Sequence, residues 1–534
     1  DFFAGIHDVT NDPADLAARQ SMLSGSQSLV NRFHAIDAQF DTIRGEVESE
    51  IRISVDTINQ YASQLARLNE QILNAENVGR SQPANDLRDQ RDLLLADLSK
   101  EVRTSVVRMD DGSINVYVAS GQALVLGKQS ARLIAEPATS DNTQATIRYQ
   151  LEGLDMPLRE SDLDGGRLGG LLAFRADALA SAQNALGRMA VGLAVSFNQQ
   201  HRLGQDLNGA LGGDYFSLVN PVAIGDAGNT GSAEIEASFV DAGALTTSDY
   251  RIDYDGANYT FTRLSDGMTH TSAVLPVSLD GMQVSLTAGA IAAGDRFLLR
   301  PTRDGAGGLG VALTNAAQIA AATPVRTGAS AANTGSASIS AGTVNASYAA
   351  SPLAGAVTLG YDQASGMLTG FPATSAVTVT AGSTVTTYAA GAPVPFTADA
   401  TYAFGGIAFG ISGTPADGDS FTVRPNTGGI GDNRNALLLA GLQTQRVLAG
   451  GSMSYTDAYS HLVSEVGMRT REMEITGSAQ TRLLDEANNR QQGFSGVNLD
   501  EEAARLMQYQ QAYQAAAKVM QMASDMFETL LSIR

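Results

Sequence analysis

The spacing of apolar residues near the amino end constrains this chain more than any other feature. Leu29, Phe33, Ile36, Phe40, Ile43 and Val47 follow one another at intervals of 4, 3, 4, 3 and 4, which is the seam of a coiled coil. The register then slips: Ile51 follows Val47 by four, and Ile58, Leu65 and Ile72 continue at sevens. Such a stutter unwinds a supercoil locally without ending the helix. Leu29 to Ile72 spans 44 residues, a rod of roughly 65 Å at the α-helical rise. That length exceeds an ordinary globular helix and predicts an elongated bundle. A second helix is expected from Pro83, a first-turn residue, through Leu87, Leu94, Leu95 and Leu98. Its acidic run, Asp86 to Asp92, interleaves with Arg88 and Arg91, as a salt-bridged, solvated helix face does.

The same periodicity returns at the other end. Leu499, Leu506, Tyr513, Met520 and Phe527 stand at intervals of seven, with Ala503, Ala517 and Leu531 on the interleaved positions. Burial within the chain and packing between subunits compete as readings of this stripe. Further helices are expected at about 168–202, at 433–445 and at about 454–490.

Between these helices the period changes to two. Residues 113–127, SINVYVASGQALVLG, alternate around Gly121, and Asp111-Gly112 supplies a preceding hairpin turn. Residues 220–430 hold 15 acidic residues, 7 Arg and no Lys, and between 331 and 400 only Asp362 and Asp399 are charged. Alternating apolar runs with Gly turns persist there, which favours antiparallel β structure over disorder. The stretch also repeats itself: NTGSAEI at 229–235 returns as NTGSASI at 333–339, and GDRFLLRPT at 294–302 returns as GDSFTVRPN at 418–426. Two related β modules in tandem explain both matches.

The expected fold is therefore multidomain α+β, an elongated helical coiled-coil bundle shaft built from both ends of the chain, with inserted antiparallel β domains. The divisions are 1–104 (shaft), 105–165 (small β domain), 166–219 (shaft), 220–325 and 326–430 (outer β modules), 431–494 (shaft) and 495–534 (terminal helix). The two helical ends are expected to pack together, with the modules as excursions from the shaft.

Chemistry is hard to place on this chain. There is no Cys, which removes disulfides, thiolate nucleophiles and Cys-ligated metals. His7, His34, His201, His270 and His461 are scattered, with no metal-ligand spacing, and are expected as surface or packing residues. Asp206 to Asp214, DLNGALGGD, superficially resembles a calcium loop, but Ala210, Leu211 and Ser217 stand where ligands or the turn glycine are needed. A turn is expected there, with a weak cation site as the alternative. Nucleophile-elbow, Walker and dinucleotide fingerprints are absent. No catalytic, metal-binding or cofactor-binding residue is nominated, and no enzyme activity is expected. The net charge of −21 disfavours nucleic acid and anionic membranes as partners. No run approaches the roughly 18 apolar residues of a membrane span, and the first residues do not form a secretory signal.

Four segments carry a resemblance. Residues 495–531, SGVNLDEEAARLMQYQQAYQAAAKVMQMASDMFETLL, are similar to the C-terminal helix shared by the axial proteins of the bacterial flagellum. PANDLRDQRDLLLADLS (83–99), SFNQQHRLGQDLNGALGGDYF (196–216) and GDNRNALLLAGLQ (431–443) narrow this to the hook-associated protein 1 (FlgK) family, whose members form the hook–filament junction. Over 220–430 the likeness is only of position and β character.

The resemblance implies an extracellular building block, exported through the flagellar type III apparatus without a cleaved signal. Its partners would be copies of itself in a ring, the hook protein and a second hook-associated protein. A cytoplasmic export chaperone would hold the C-terminal segment. Leu499, Ala503, Leu506, Tyr513, Ala517, Met520, Phe527 and Leu531 are the expected subunit or chaperone interface. The family also has an N-terminal inner-tube helix that pairs with the C-terminal one. Nothing in the 534 residues corresponds to it, so the helix is expected to lie ahead of them. A reading from another class treats 220–430 as an adhesin-like module that binds host glycan or protein.

Overall fold

The structure is a computed structural model that describes the backbone of residues 1–78, 83–495 and 499–531. Two compact units are present, 1–463 and 464–534. In the first, α1 (Phe2–Asn11) packs on α2 (Leu16–Val78), a single helix of 63 residues that runs unbroken through the stutter. The expected seam is half-buried up to Ile43, with Ile36 exposed, and buried from Val47 on, and its cover changes along its length. Val30 is buried and Leu29, Phe33 and Phe40 half-buried against α1 and α5 (Ala180–His201), in a core that also takes Leu439 of α7 (Arg434–Gly441) and Leu462 of α8 (Tyr455–Ser495). Ile51, Ile58 and Leu65, with Ile72 in the same stripe, are fully buried. Ile51, Ile58 and Leu65 share a second core with Leu98 of α3 (Asn85–Glu101) and the small β domain.

That domain has a four-stranded antiparallel sheet, β1 (Thr104–Arg108), β2 (Ile114–Val118), β3 (Gln122–Leu126) and β4 (Gln129–Ser130), in sequential order. A three-stranded one follows, β5 (Arg132–Ala138), β6 (Asp141–Leu151) and β7 (Leu154–Pro157). Gly112 and Gly121 both adopt positive φ at the two turns, which glycine tolerates without strain. Helix α3 begins two residues later than the proline suggested. Glu76 accepts the Ala84 N–H at 3.2 Å and pairs with Arg88, and these contacts hold the first turn of the helix. The run expected at 168–202 is α4 (Gly166–Ala173), a π-helical turn at Phe174–Leu179, and α5.

The β modules share a topology. In the first, β8 (Phe216–Ser217) precedes β9 (Ile224–Gly225), β10 (Glu234–Phe239), β11 (Tyr250–Tyr254), β12 (Tyr259–Arg263), β13 (Thr269–Ser272), β14 (Val277–Leu279), β15 (Met282–Ala288) and β16 (Arg296–Leu299). Its sheets run β13-β12-β11-β16-β9 and β10-β15-β14. After β17 (Gly310–Val311), which pairs with β8, the second module comprises β18 (Val325–Ala329), β19 (Ser338–Ile339), β20 (Thr343–Val344), a short α6 (Ala346–Ala350), β21 (Val357–Asp362), β22 (Met367–Thr369), β23 (Val377–Ala381), β24 (Thr384–Tyr388), β25 (Val394–Pro395), β26 (Ala400–Phe404), β27 (Ile407–Ser412) and β28 (Ser420–Pro425). Its sheets run β18-β28-β21-β22-β25 and β19-β27-β26-β23-β24, with β20 also on β27. In each module the last strand lies between the first strand and the first strand of a hairpin, β11–β12 or β21–β22. Both excursions therefore begin and end on neighbouring strands.

The tandem is not one continuous excursion. Residues 302–323, which their composition groups with the first module, return to the helical body, where Thr302, Ala306, Leu309 and Ile319 to Ala322 are buried. Low charge and abundant Ala serve a buried connector as well as a β module, so composition alone does not separate the two.

The second unit holds the remainder of α8 and α9 (Leu499–Leu531). Among the described residues no helix is long and apolar enough to cross a membrane.

Candidate assembly interface and the module roots

Helix α9 opens with Asp500, Glu501 and Glu502 in its first turn, where carboxylates complement the helix dipole. It places the nominated residues in solvent. Leu499 is 80% and Tyr513 77% exposed, and Leu506, Met520 and Phe527 are exposed to a similar degree, as are Ala503 and Ala517. The side chain of Leu531 and residues 496–498 lie outside the described residues. The five heptad side chains therefore form a continuous apolar stripe in solvent. Water penalises such a stripe at roughly 25 cal/mol per Å².

The segments 196–216 and 431–443 converge on one site, the connector at Ala320. The His201 ring is fully buried; its Nδ1 bonds to the Gly213 carbonyl at 2.8 Å and its Nε2 accepts the Ala320 N–H at 2.9 Å. Burial lowers its pKa to about 4, so the ring is neutral and the acceptor is preserved. Asn435 donates to the Ala320 carbonyl at 2.6 Å and accepts from Gln200 at 2.6 Å. The Ala436 N–H reaches the Ala321 carbonyl, and Gln205 and Ala322 exchange both backbone bonds. Arg19, also buried, donates Nη1 to Ile319 O at 2.6 Å and Nε to Pro13 O at 2.7 Å. Every polar backbone group of the connector near Ala320 is thus answered, as burial demands. Gly204 sits where a Cβ would collide with Ala320 O and the Asn435 amide, so glycine is required for the approach. The sequence missed this set because His201 and Asn435 lie 234 residues apart; the quoted segments themselves were the available signal.

The repeated motifs are also a structural device. In the first module the Asp295 carboxylate accepts N–H groups of Thr230 (2.9 Å), Gly231 (3.2 Å) and Ala292 (2.8 Å), while Asn229 exchanges two 2.8 Å bonds with the backbone of Arg296. In the second, Asp419 accepts from Thr334 (2.8 Å), Gly335 (3.1 Å) and Ala416 (2.8 Å), and Asn333 exchanges bonds of 3.0 and 2.8 Å with Ser420. Burial opposes ionisation of Asp295, but the three N–H donors hold its carboxyl below the usual carboxylate range. Asp419 is lowered by the same donors, that of Ala416 foremost.

Asp206 closes an Asx turn, accepting N–H groups of Asn208 (2.8 Å) and Ala210 (2.9 Å). Among the described residues no three His, Cys, Asp or Glu side chains are grouped to hold a metal. His34 bonds to Leu309 O at 2.7 Å and His201 is a core residue.

Long helices toward both ends of the chain with inserted antiparallel modules match the architecture of a solved flagellar hook junction protein, and the comparisons with known proteins carry this to the family. The flagellar hook-associated protein FlgK helical domain matches residues 1–216. The D2-like domain of flagellar hook-associated protein 1 matches 224–301 and its D3 domain matches 324–425. A flagellar basal body rod FlgEFG C-terminal domain matches 491–533. Flagellar hook-associated protein 1 of Escherichia coli K12 is 31% identical over 539 residues, spanning 100% of this chain and 80% of the relative. That of Salmonella typhimurium LT2 is 31% identical over 538 residues with the same coverage. The solved flagellar hook junction protein FlgK of Burkholderia pseudomallei superposes with a TM-score of 0.85 at 36% identity, covering 92% of each chain. This chain belongs to the flagellar hook-associated protein 1 (FlgK) family, whose members here are structural flagellar proteins.

Proposed function

We propose that the chain is a mechanical subunit at the junction between flagellar hook and filament, working outside the cell after type III export. The observation that carries this reading is the solvent-exposed heptad stripe of α9, which is built to be covered by another helix. Leu499, Ala503, Leu506, Tyr513, Ala517, Met520, Phe527 and Leu531 are its subunit interface and, before export, the surface held by a cytoplasmic chaperone. Neighbouring copies in a ring, the hook protein and a second hook-associated protein are the partners. The shaft segments, about 20–100, 168–202 and 454–490, supply lateral contacts, and the modules face outward. The role is structural rather than catalytic. The adhesin-like reading of 220–430 finds no support, since both modules match domains of the same structural family.

Electron microscopy of a strain lacking the gene, with and without the full-length gene restored, tests this. Bare hooks without the gene and filament-bearing hooks with it are expected. Normal filaments in the deletion strain would contradict it.

A further inference from the structure

We infer that the outer edge of the second module, strand β24, is a self-pairing surface that joins two copies of this chain through an antiparallel, two-fold strand contact. The strand Thr384-Val385-Thr386-Thr387-Tyr388 ends its sheet, bonded to β23 on one side only. Thr384 to Thr387 are all exposed, and Val385 is 63% exposed. Natural edges of this kind are blunted by Lys, Pro or a bulge. β24 has none of these, its pairing with β23 is regular over all five residues, and its residues are β-branched or aromatic.

The occupant follows from charge and from the strand's own sequence. Two copies that each carry −21 repel, yet no residue between Asp362 and Asp399 is charged. At this uncharged edge two chains meet without a like-charge contact in the strand itself, and it offers nothing to attract a charged partner. The two-residue Gly382-Ser383 turn sets the ladder phase: Thr384 bonds inward to Ala381, so by alternation Val385 and Thr387 aim their N–H and C=O groups outward. A second β24 centred on Thr386 places Val385 opposite Thr387 and Thr384 opposite Tyr388, all favourable cross-strand pairs. The first module has no counterpart of the β23–β24 hairpin in its β10-β15-β14 sheet. A two-fold contact closes on itself and cannot propagate around a ring. The pairing therefore links separate assemblies or free subunits and is independent of the proposed junction role.

The absence of Cys makes the test clean. Thr386 would face Thr386 of the second copy at a non-hydrogen-bonded position, within disulfide reach. Ser383 would stand roughly 20 Å from its equivalent at the strand rise. Under mild oxidation the full chain carrying T386C is expected to give a disulfide dimer at least tenfold faster than S383C. Adding Val385→Lys to T386C should reduce that rate to the S383C level. A T386C chain that stays monomeric, equal crosslinking by S383C, or crosslinking unaffected by the lysine would each overturn the pairing.

Discussion

Arg175 donates Nη1 to Glu48 Oε1 at 2.7 Å with both side chains buried, and this pair fastens the middle of α2 to the π-helical turn ahead of α5. The same guanidinium reaches Ala145 O at 3.0 Å and Glu160 Oε1 at 2.5 Å, and the second oxygen of Glu48 accepts the Ala145 N–H at 2.7 Å. One ion pair therefore ties the long helix, the small β domain and the second helical run together. Burial works against the Arg175 charge, and the two glutamates outweigh it. Replacing one member leaves the other buried and unpaired, which costs about 3–5 kcal/mol. Arg175→Met should lower stability in chemical denaturation by that amount, and the double variant with Glu48→Met should cost less than the single.

His201 predicts a pH dependence whose sign is fixed. An unfolded imidazole titrates near 6.5, while the folded ring is lowered to about 4 by burial. The unfolded chain takes the proton first. The His201 contribution is therefore complete above pH 6.5, falls as pH drops toward 4 and levels off below, for a total of about 3 kcal/mol. The difference in denaturation midpoint between the chain and its His201→Gln variant should shrink across this window. A constant difference would remove His201 as the titrating group.

Asn229→Ala and Asn333→Ala each remove two backbone bonds from equivalent clasps. Each is expected to cost about 1–3 kcal/mol. Because the clasps lie in different modules, the costs should add to within about 0.5 kcal/mol in the double variant. Thermal melting of both singles and the double checks this.

Gly204→Ala places a methyl against Ala320 O and the Asn435 amide. Overpacking of that kind costs about 1–3 kcal/mol. Protease cleavage near residues 316–322 should accelerate in the variant while cleavage within the modules is unchanged.

The parts legible in the sequence are those that local chemistry encodes. The α2 helix, the Gly121 and Asp111-Gly112 turns and the kinship of the two β modules are each specified by residues close in the chain, or by one motif repeated, whereas the clasps those motifs form join residues far apart in the chain. The start of α3 escaped because Glu76 and Arg88 place it through a contact that proline preference does not contain. The connector at 302–323 escaped because Ala-rich sequence of low charge reads alike in a module and in a core. Its anchors, His201, Asn435 and Arg19, are brought together only by the fold. The nominated α9 positions were legible as a stripe, since the heptad is a property of the local sequence.

The account rests on that stripe being an assembly surface. Its most direct measurement is electron microscopy of hooks from cells whose full-length gene carries Leu506→Glu and Tyr513→Glu, together with melting of the purified chain. The prediction is loss of attached filaments with unchanged melting of the unit formed by residues 1–463, because both positions lie in the other unit, 464–534, and are exposed. Normal filaments on the variant's hooks would contradict it.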